Sequence, residues 1–225
     1  VFRSQFPLQT IINPRIVNDM INSLITLAEQ SGNFYYERWE FLNAYSGCMI
    51  GNPAVAVLAD AYAKGIRNYD IEKAYRYALN SSEKFGSSLG YFGPPHSISN
   101  TLEYAYADWC IAQLAKQLGR TEDEIFFNEK SQAYKNVFDT GKGWFRPRKS
   151  DGSWEDWPQK GRLQEGYGCT ESNPYQQGWF VPHDIEGMVT LMGGKDAVVE
   201  DLNAFFENAP DDLSWNEYYN HANEP

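Results

Sequence analysis

The regular placement of Asn-Pro pairs and glycines constrains the fold of this chain most. One apolar-periodic segment opens with Asn-Pro at residues 13–14 and closes at Gly32. A second opens with Asn-Pro at residues 52–53 and closes at Gly65. Asparagine caps the first N–H groups of a helix, proline fits its first turn, and glycine ends it. Similar signals predict further helices over residues 70–84, 97–118, 121–138, 184–192 and 195–207, with a short one from Pro174.

These segments predict an all-α chain built from antiparallel α/α hairpins. Short turns that contain glycine join the helices, which favours packing between neighbours in the sequence. The chain shows no fixed repeat period of the kind that marks an open helical array. We therefore predict an α/α hairpin toroid, with its connecting loops gathered at one end.

Strand signals are confined to one long connection, residues 141–173, which we call the aromatic loop. Its sequence is GKGWFRPRKSDGSWEDWPQKGRLQEGYGCTESN, and Asp151 with Gly152 fits the turn of a short β-hairpin. A connection of this length is uncommon in a compact domain unless it has a function. The loop holds three of the seven tryptophans of the chain. We predict that it belongs to a functional site.

Charge and hydropathy exclude several classes of function. The net charge is −11, and a nucleic-acid partner would require basic patches that the sequence lacks. No apolar run approaches the ~20 residues that span a bilayer. The first residues, VFRSQFPLQT, lack the basic and apolar regions of a signal peptide. We expect no nucleic-acid partner and no membrane span.

Cysteine and histidine contents argue against a metal or disulfide framework. The three cysteines are widely separated and form no C-x-x-C motif. No two of the three histidines share helical spacing, so we predict no histidine-based metal site in this chain. Aromatic residues make up 16% of the sequence. Two explanations stay open for them: a large helical core, or a cleft whose rings stack on sugars.

The segment GCTESNPYQQGWFVPHDIEGM, residues 168–188, contains the best candidate for a catalytic residue. Asn173 and Gln176 have the spacing of a capping box around a proline that opens a helix. One explanation places Glu171 near the positive end of that helix, worth well under about 1 kcal/mol. The other packs its carboxyl among Tyr175, Trp179 and the aromatic loop. Such desolvation would keep the carboxyl protonated, as a general acid for glycosidic bond cleavage requires.

Two further positions carry polar side chains with alternative explanations. Asp184 follows His183 and fits the cap of the next helix, with His183 packing beside it; a role in chemistry is the alternative. Glu103 lies on a predicted helix that is otherwise apolar. It is either a buried structural acceptor or a residue that faces a cleft.

Several long blocks resemble glycoside hydrolase family 92, in the same order and over nearly the whole chain. They are GCMIGNPAVAVLADAYAKG, TLEYAYADWCIAQLAK, WFRPRKSDGSW, WFVPHDIEGMVTLMGG and the terminal NEP. The resemblance implies a calcium-dependent, inverting exo-α-mannosidase, and many members act on α-1,2 links. The family couples an N-terminal β-sandwich to an (α/α)6 barrel. By this resemblance residues 1–225 form one domain, an incomplete (α/α)6 barrel, without the β-sandwich and the C-terminal part.

The resemblance also assigns site residues. The family's catalytic acid lies in a segment like E-G-N-A-W-Q-Y-x-W-x-x-P-H-D, in which the acid corresponds to Glu171. The other matches are Asn173, Gln176, Trp179, Pro182, His183 and Asp184. The implied roles are general acid for Glu171 and substrate binding for Trp179 and His183, and we add Glu103 as a substrate-binding candidate.

The terminal NEP implies a further sugar contact. Asn223 and Glu224 correspond to the pair that contacts mannose in the leaving-group subsite. Many α-1,2-specific members carry His-Glu there, so Asn223 leaves the linkage open. The general base, in a Gly-Asn-x-Asp-like segment, and most ligands of Ca²⁺ are expected beyond residue 225. A Trp-Asp pair used near the sugar is expected before residue 1.

The leading hypothesis is thus part of an α-mannosidase whose substrate is an α-mannoside oligosaccharide or N-glycan. Its partner would be the remainder of the same chain, and the resemblance implies a secreted, periplasmic or cell-surface location. One alternative is a carbohydrate-binding fragment without turnover, because no base is assignable within the chain. Another is a helical interaction scaffold, which explains the hairpins but not the aromatic loop.

Overall fold

A computed structural model describes residues 2–42 and 44–207. These residues form two compact units. The first unit comprises the described residues within Val1–Gly86 and Glu103–Ser131, and the second those within Ser87–Leu102 and Gln132–Pro225. None of the described helices combines the length and the apolar composition needed to span a bilayer.

The first unit is a group of packed helices. Its core is centred on α2, whose residues Val17, Ile21, Ile25 and Ala28 are buried at helical spacing, and α2 contacts α1, α3 and α4. The helices are α1 (Gln5–Ile12), α2 (Pro14–Gln30), α3 (Pro53–Ala63), α4 (Ile71–Phe85), the later part of α5 (Ser97–Gln117) and α6 (Thr121–Lys130).

The helix starts follow the predicted caps in most cases. The side chain of Asn13 accepts a hydrogen bond from the N–H of Ile16, and Asp70 caps α4 in the same way. Asn52 lies at the predicted cap position of α3, but its side chain makes no capping hydrogen bond. The predicted helix over residues 121–138 ends at Lys130 and continues as a 3-10 helix, Ser131–Val137.

The second unit contains shorter elements around the aromatic loop. They are the first residues of α5, β3 (Phe138–Asp139), β4 (Trp144–Phe145), α7 (Pro174–Gln177), α8 (Ile185–Leu191) and α9 (Lys195–Glu207), with a 3-10 turn at Gly161–Leu163. β3 and β4 are antiparallel. The predicted turn at Asp151 is present, because the N–H of Lys149 donates to the carbonyl of Ser153 at 2.8 Å. An isolated bridge between Arg148 and Trp154 extends it.

Strands are not confined to the aromatic loop as the sequence predicted. A second antiparallel hairpin pairs β1 (Glu40–Phe41) with β2 (Ala44–Tyr45) in the first unit. Two-residue strands are too short to show the alternation on which strand prediction depends. The hairpin is extended by Ser46, whose N–H donates to the carbonyl of Trp39 at 3.1 Å. The strands remain few and short, so the predicted all-α class is confirmed.

Candidate active site

The loop that carries Glu171 is attached to the first turn of α5. The carbonyl of Gly168 accepts hydrogen bonds from the N–H of Ile98 at 2.8 Å and from that of Ser99 at 3.2 Å. The hydroxyl of Ser99 also accepts from the N–H of Thr170 at 2.9 Å. The first N–H groups of a helix have no partner within the helix, so a loop carbonyl can satisfy them. These hydrogen bonds therefore hold the backbone in place as far as Thr170, the residue before Glu171.

A capping box holds the chain on the other side of Glu171. The side-chain oxygen of Asn173 accepts from the N–H groups of Tyr175 at 2.9 Å and Gln176 at 3.0 Å. In return, the side chain of Gln176 accepts from the N–H of Asn173 at 3.0 Å. This confirms the capping box predicted from the sequence. Asn173 is fully buried, and this burial fixes the start of α7 within the second unit.

Glu171 lies between these two attachments in an unusual backbone conformation. Its φ is +53°, in the left-handed region that side-chain-bearing residues rarely adopt. Such a conformation costs about 1–3 kcal/mol and persists only where the surroundings impose it. The neighbouring Cys169 and Ser172 are buried, whereas Glu171 itself is exposed. The loop therefore holds the backbone of Glu171 in a defined conformation and leaves its side chain exposed.

Cys169 contributes packing to this loop. Burial raises the pKa of its thiol, and hydrogen bonding with Ser99 and Ser172 only partly opposes the effect. A thiol with a raised pKa is a poor nucleophile, because the thiolate is the reactive form. We conclude that Cys169 has a structural role in this loop.

The expected packing of Tyr175 and Trp179 around the Glu171 carboxyl is not found among the described residues. Both rings instead contact Trp144, with ring centroids 5.6 Å and 5.1 Å away. Tyr175 also meets Phe205 of α9 edge-on at 5.0 Å. We call Trp144, Tyr175, Trp179 and Phe205 the aromatic cluster. The expected desolvation of Glu171 was wrong: Tyr175 and Trp179 pack on the buried Trp144, and Glu171 is exposed.

The aromatic cluster positions α7. Trp144 is almost completely buried, and its indole N–H donates to the carbonyl of Pro174 at 2.7 Å. Pro174 is the first residue of α7 and is three positions after Glu171. Trp144 therefore fixes the start of α7, the helix that follows Glu171.

Asp184 acts as a helix cap, as one of its two explanations predicted. One carboxylate oxygen accepts from the N–H of Gly187 at 2.9 Å and the other from the hydroxyl of Tyr134 at 2.7 Å. Lys135 lies 3.7 Å away. Burial alone would raise the pKa of Asp184, but these contacts outweigh it and hold the pKa below its usual value. His183 packs edge-on against the Tyr134 ring, with centroids 5.6 Å apart.

We expect Asp184→Ala to lower the free energy of unfolding by about 2 kcal/mol at neutral pH, because it removes a cap and a hydrogen bond to a charged group. The folded-state pKa of Asp184 is lowered. Its contribution is therefore complete above the unfolded value, about 4, and is lost as the pH falls through the folded one. Urea unfolding at several pH values should show the deficit shrinking below about pH 4. Asp184→Asn, which keeps the capping oxygen, is the control and should lose much less. Equal stability of the alanine variant and the wild type at neutral pH would contradict this role.

Glu103 lies in the first unit and is engaged by an ion pair. Its carboxylate accepts from the Arg3 guanidinium at 2.7 Å, and the residue is buried. It also packs closely over Gly51, where an added Cβ would lie 2.9 Å from a carboxylate oxygen. Gly51 has φ +74°, so both its conformation and its lack of a side chain are required. Neither partner of Glu103 was predictable from a local pattern in the sequence.

The remaining expectations concern metal ligands and the C-terminal pair. Within residues 2–42 and 44–207, no group of three His, Cys, Asp or Glu side chains could hold a metal ion. Asn223 and Glu224 lie outside the described residues.

Comparison with known proteins decides the family. The sequence matches the glycosyl hydrolase family 92 catalytic domain over residues 1–225. The chain belongs to this family. An inverting family 92 mannosidase from Bacteroides thetaiotaomicron has a similar structure, with a TM-score of 0.85 and 31% identity over 96% of this chain and 31% of that one.

Two further proteins are similar. A family 92 α-mannosidase from Bacteroides thetaiotaomicron gives a TM-score of 0.82 at 30% identity, over 89% of this chain and 28% of that one. The same enzyme has been solved in complex with mannoimidazole. An uncharacterized secreted glycosidase from Arthroderma benhamiae is 29% identical in an alignment that covers 68% of this chain and 26% of that protein. The chain thus spans about a quarter to a third of the length of these similar proteins.

Proposed function

We propose that this family 92 chain supplies the general acid, Glu171, of an inverting α-mannosidase. The observation that supports it is the fixed, exposed position of Glu171, with φ +53° between two hydrogen-bonded attachments. A strained conformation imposed on a polar, exposed residue is typical of functional sites. The similar proteins support the reaction class, since they include an inverting mannosidase and an α-mannosidase solved with mannoimidazole.

The proposed reaction uses two carboxyl groups on opposite sides of the glycosidic bond. Glu171 donates a proton to the departing oxygen, while a carboxylate on the other face of the sugar activates a water molecule. The two groups are about 6.5–9.5 Å apart in inverting enzymes, which leaves room for that water. The carboxyl of Glu171 then has to be protonated in the substrate complex. We propose that parts of the protein outside the described residues, or the substrate itself, exclude water from it.

The general base is proposed to lie outside residues 1–225. The Asp184 carboxylate caps α8 and accepts a hydrogen bond from Tyr134, and the Glu103 carboxylate forms an ion pair with Arg3. Neither carboxylate is free to activate water in the described arrangement. The similar solved chains are more than three times as long as the matched segment, so they contain ample additional sequence.

The substrate contacts form a further part of the proposal. Asn223 and Glu224 would hold the sugar in the leaving-group subsite. Glu103 in the first unit, and Trp179 and His183 in the second, are separate candidates for contacts with the substrate. We propose α-mannosides, including α-1,2-linked ones and N-glycans, as the substrate class. We also propose a location outside the cytoplasm, in keeping with the glycosidase from Arthroderma benhamiae that is described as secreted.

Dependence on Ca²⁺ is proposed for the whole protein only. Ca²⁺ takes six to eight oxygen ligands, and the described residues offer no cluster that fits it. Its ligands would therefore come from other parts of the protein. No step assigned to Glu171 depends on the metal.

The experiment that tests this function follows the anomer of the released sugar. The whole protein is incubated with an α-1,2-mannobiose, and proton NMR is recorded before mutarotation equilibrates the product. We expect β-mannose to be the first product, and residues 1–225 alone to release at least 10³-fold less, because the base is missing. Initial release of α-mannose would contradict the inverting mechanism. Substantial release by residues 1–225 alone would show that they contain a base, and binding without any release by the whole protein would favour the carbohydrate-binding alternative.

A further inference from the structure

A cleft of about 440 Å³ opens in the second unit beside the aromatic cluster. This volume lies within the ~300–1,000 Å³ typical of small-ligand pockets. The aromatic loop and α9 supply its walls. Its lining includes Lys142, Trp157, Lys160, Gly161, Arg162 and Tyr175. Glu171 is not among the residues that line it.

The lining of the cleft is positively charged, although the chain as a whole carries a net charge of −11. It includes three basic side chains, and none of the lining residues that the structure describes is acidic. Arg162 already has partners within the protein, because it makes two hydrogen bonds to Asp201, at 2.6 Å and 2.5 Å, and stacks on Tyr175. Lys142 and Lys160 are left to act on a ligand. Their positive potential favours an anionic group.

The two lysines are weakly engaged within the protein. Lys160 approaches Glu165 only to 4.0 Å, and the two side chains are 63% and 50% exposed. Exposed pairs of this kind contribute little. The ammonium of Lys142 lies 5.5 Å from the centre of the Trp157 ring. Both lysines can therefore turn towards an anion without the loss of a strong internal contact.

Trp157 gives the cleft an aromatic surface. Gly161 approaches it closely, since a Cβ at Gly161 would lie 3.3 Å from the indole nitrogen. Gly161 also has φ +58°, so glycine satisfies both the backbone and the space at this edge of the cleft. Sugar rings pack their C–H faces on aromatic rings. A tryptophan beside two lysines therefore fits a ligand that combines a sugar ring with an anionic group.

We propose that this cleft binds a hexose that carries an anionic group, either a phosphate or a carboxylate. Trp157 contacts the ring, and Lys142 and Lys160 contact the anion. Arg162 acts through its hydrogen bonds to Asp201 and its stacking on the Tyr175 ring, which hold the wall of the cleft in place. The site adds recognition of charged sugars to the protein and does not depend on the proposed catalytic role of Glu171.

Isothermal titration calorimetry on the whole protein at low salt tests the proposal. The probes are mannose 6-phosphate, mannuronate, mannose and inorganic phosphate. We expect at least one anionic sugar to bind about tenfold more tightly than both mannose and inorganic phosphate, because only it uses the lysines and the ring together. The stronger of the two anionic sugars identifies the anion. Equal affinity for mannose and both anionic sugars, or tighter binding of inorganic phosphate, would overturn the proposal.

Substitutions test whether the anionic sugar binds in this cleft. Lys142→Gln and Lys160→Gln should each weaken the anionic sugar about fivefold, and added salt should reduce the difference, because exposed charges are screened. Trp157→Ala should remove the preference over inorganic phosphate. Lys149→Gln, the same charge change at an exposed lysine that does not line the cleft, is the control. Binding that survives the two lysine substitutions together would overturn the assignment. Glu171→Gln should leave this affinity unchanged, so failure of the catalytic proposal is distinguishable from failure of this one.

Discussion

Glu171→Gln in the whole enzyme is expected to lose about 10²–10⁴-fold in kcat/KM on a mannobiose while it retains most of its activity on a mannoside with an activated leaving group. A sugar alkoxide is a poor leaving group and needs a proton, whereas a nitrophenolate or fluoride does not. Glutamine keeps the size and the polarity of glutamate but cannot transfer the proton. Steady-state kinetics on the two substrates, over a range of pH, measure the difference. The alkaline limb of the mannobiose profile should flatten in the variant.

A second exposed carboxylate of the same loop provides the matched control. Glu165 precedes Glu171 by six residues and approaches Lys160 only to 4.0 Å. Glu165→Gln makes the same chemical change and should leave kcat/KM on both substrates within about twofold. If Glu171 only stabilised a helix end, its substitution would cost a few tenths of a kcal/mol and would affect both substrates alike. Equal rates for the wild type and Glu171→Gln on mannobiose would remove Glu171 from the mechanism.

Local signals predicted where several helices begin. Asn13 and Asp70 accept the predicted capping hydrogen bonds, and the box of Asn173 and Gln176 is complete. Each of these contacts joins residues only three positions apart. A cap of this kind can be recognised from the sequence because both partners lie within one turn. The position of Glu171 just before α7 was therefore predictable.

The contacts that orient the acid-bearing loop were not predictable in this way. Gly168 and Thr170 are bound by Ile98 and Ser99, about seventy residues earlier in the chain. No spacing rule relates residues so far apart, because their meeting depends on how α5 packs. The left-handed conformation of Glu171 is a consequence of these contacts, so it too was not predictable from the sequence.

The aromatic residues show a second limit. Their number was compatible with either a core or a sugar-binding cleft, and the second unit contains both a packed aromatic cluster and a cleft. Trp144 is almost completely buried with Tyr175 and Trp179 around it, although it also borders the cleft, whereas Trp157 is only partly buried there. The difference arises from the hairpin of β3 and β4, which brings Trp144 under α7. Strands of two residues leave no pattern from which that placement could be read.

Trp179→Ala is expected to lower the free energy of unfolding by about 3 kcal/mol, because it removes a large ring from the aromatic cluster. The ring centroid of Trp179 lies 5.1 Å from that of Trp144 and 6.2 Å from that of Phe205. Trp179→Phe should cost much less than alanine. The indole N–H of Trp179 is buried and finds no hydrogen-bond partner among the described residues, so its removal relieves an unsatisfied donor. Urea unfolding monitored by circular dichroism measures both variants.

The same pair of variants separates packing from sugar binding at Trp179. Trp39→Ala is the control for stability, since Trp39 is 46% exposed and should cost under about 1 kcal/mol. If Trp179 acts through the aromatic cluster, Trp179→Phe keeps the KM of the whole enzyme for mannobiose within about twofold, because phenylalanine still fills most of the space that holds α7. If the indole instead binds substrate, phenylalanine raises KM more than about fivefold without a matching loss of stability. Trp179→Ala with unchanged stability would contradict the structural role and would return Trp179 to the substrate-binding surface.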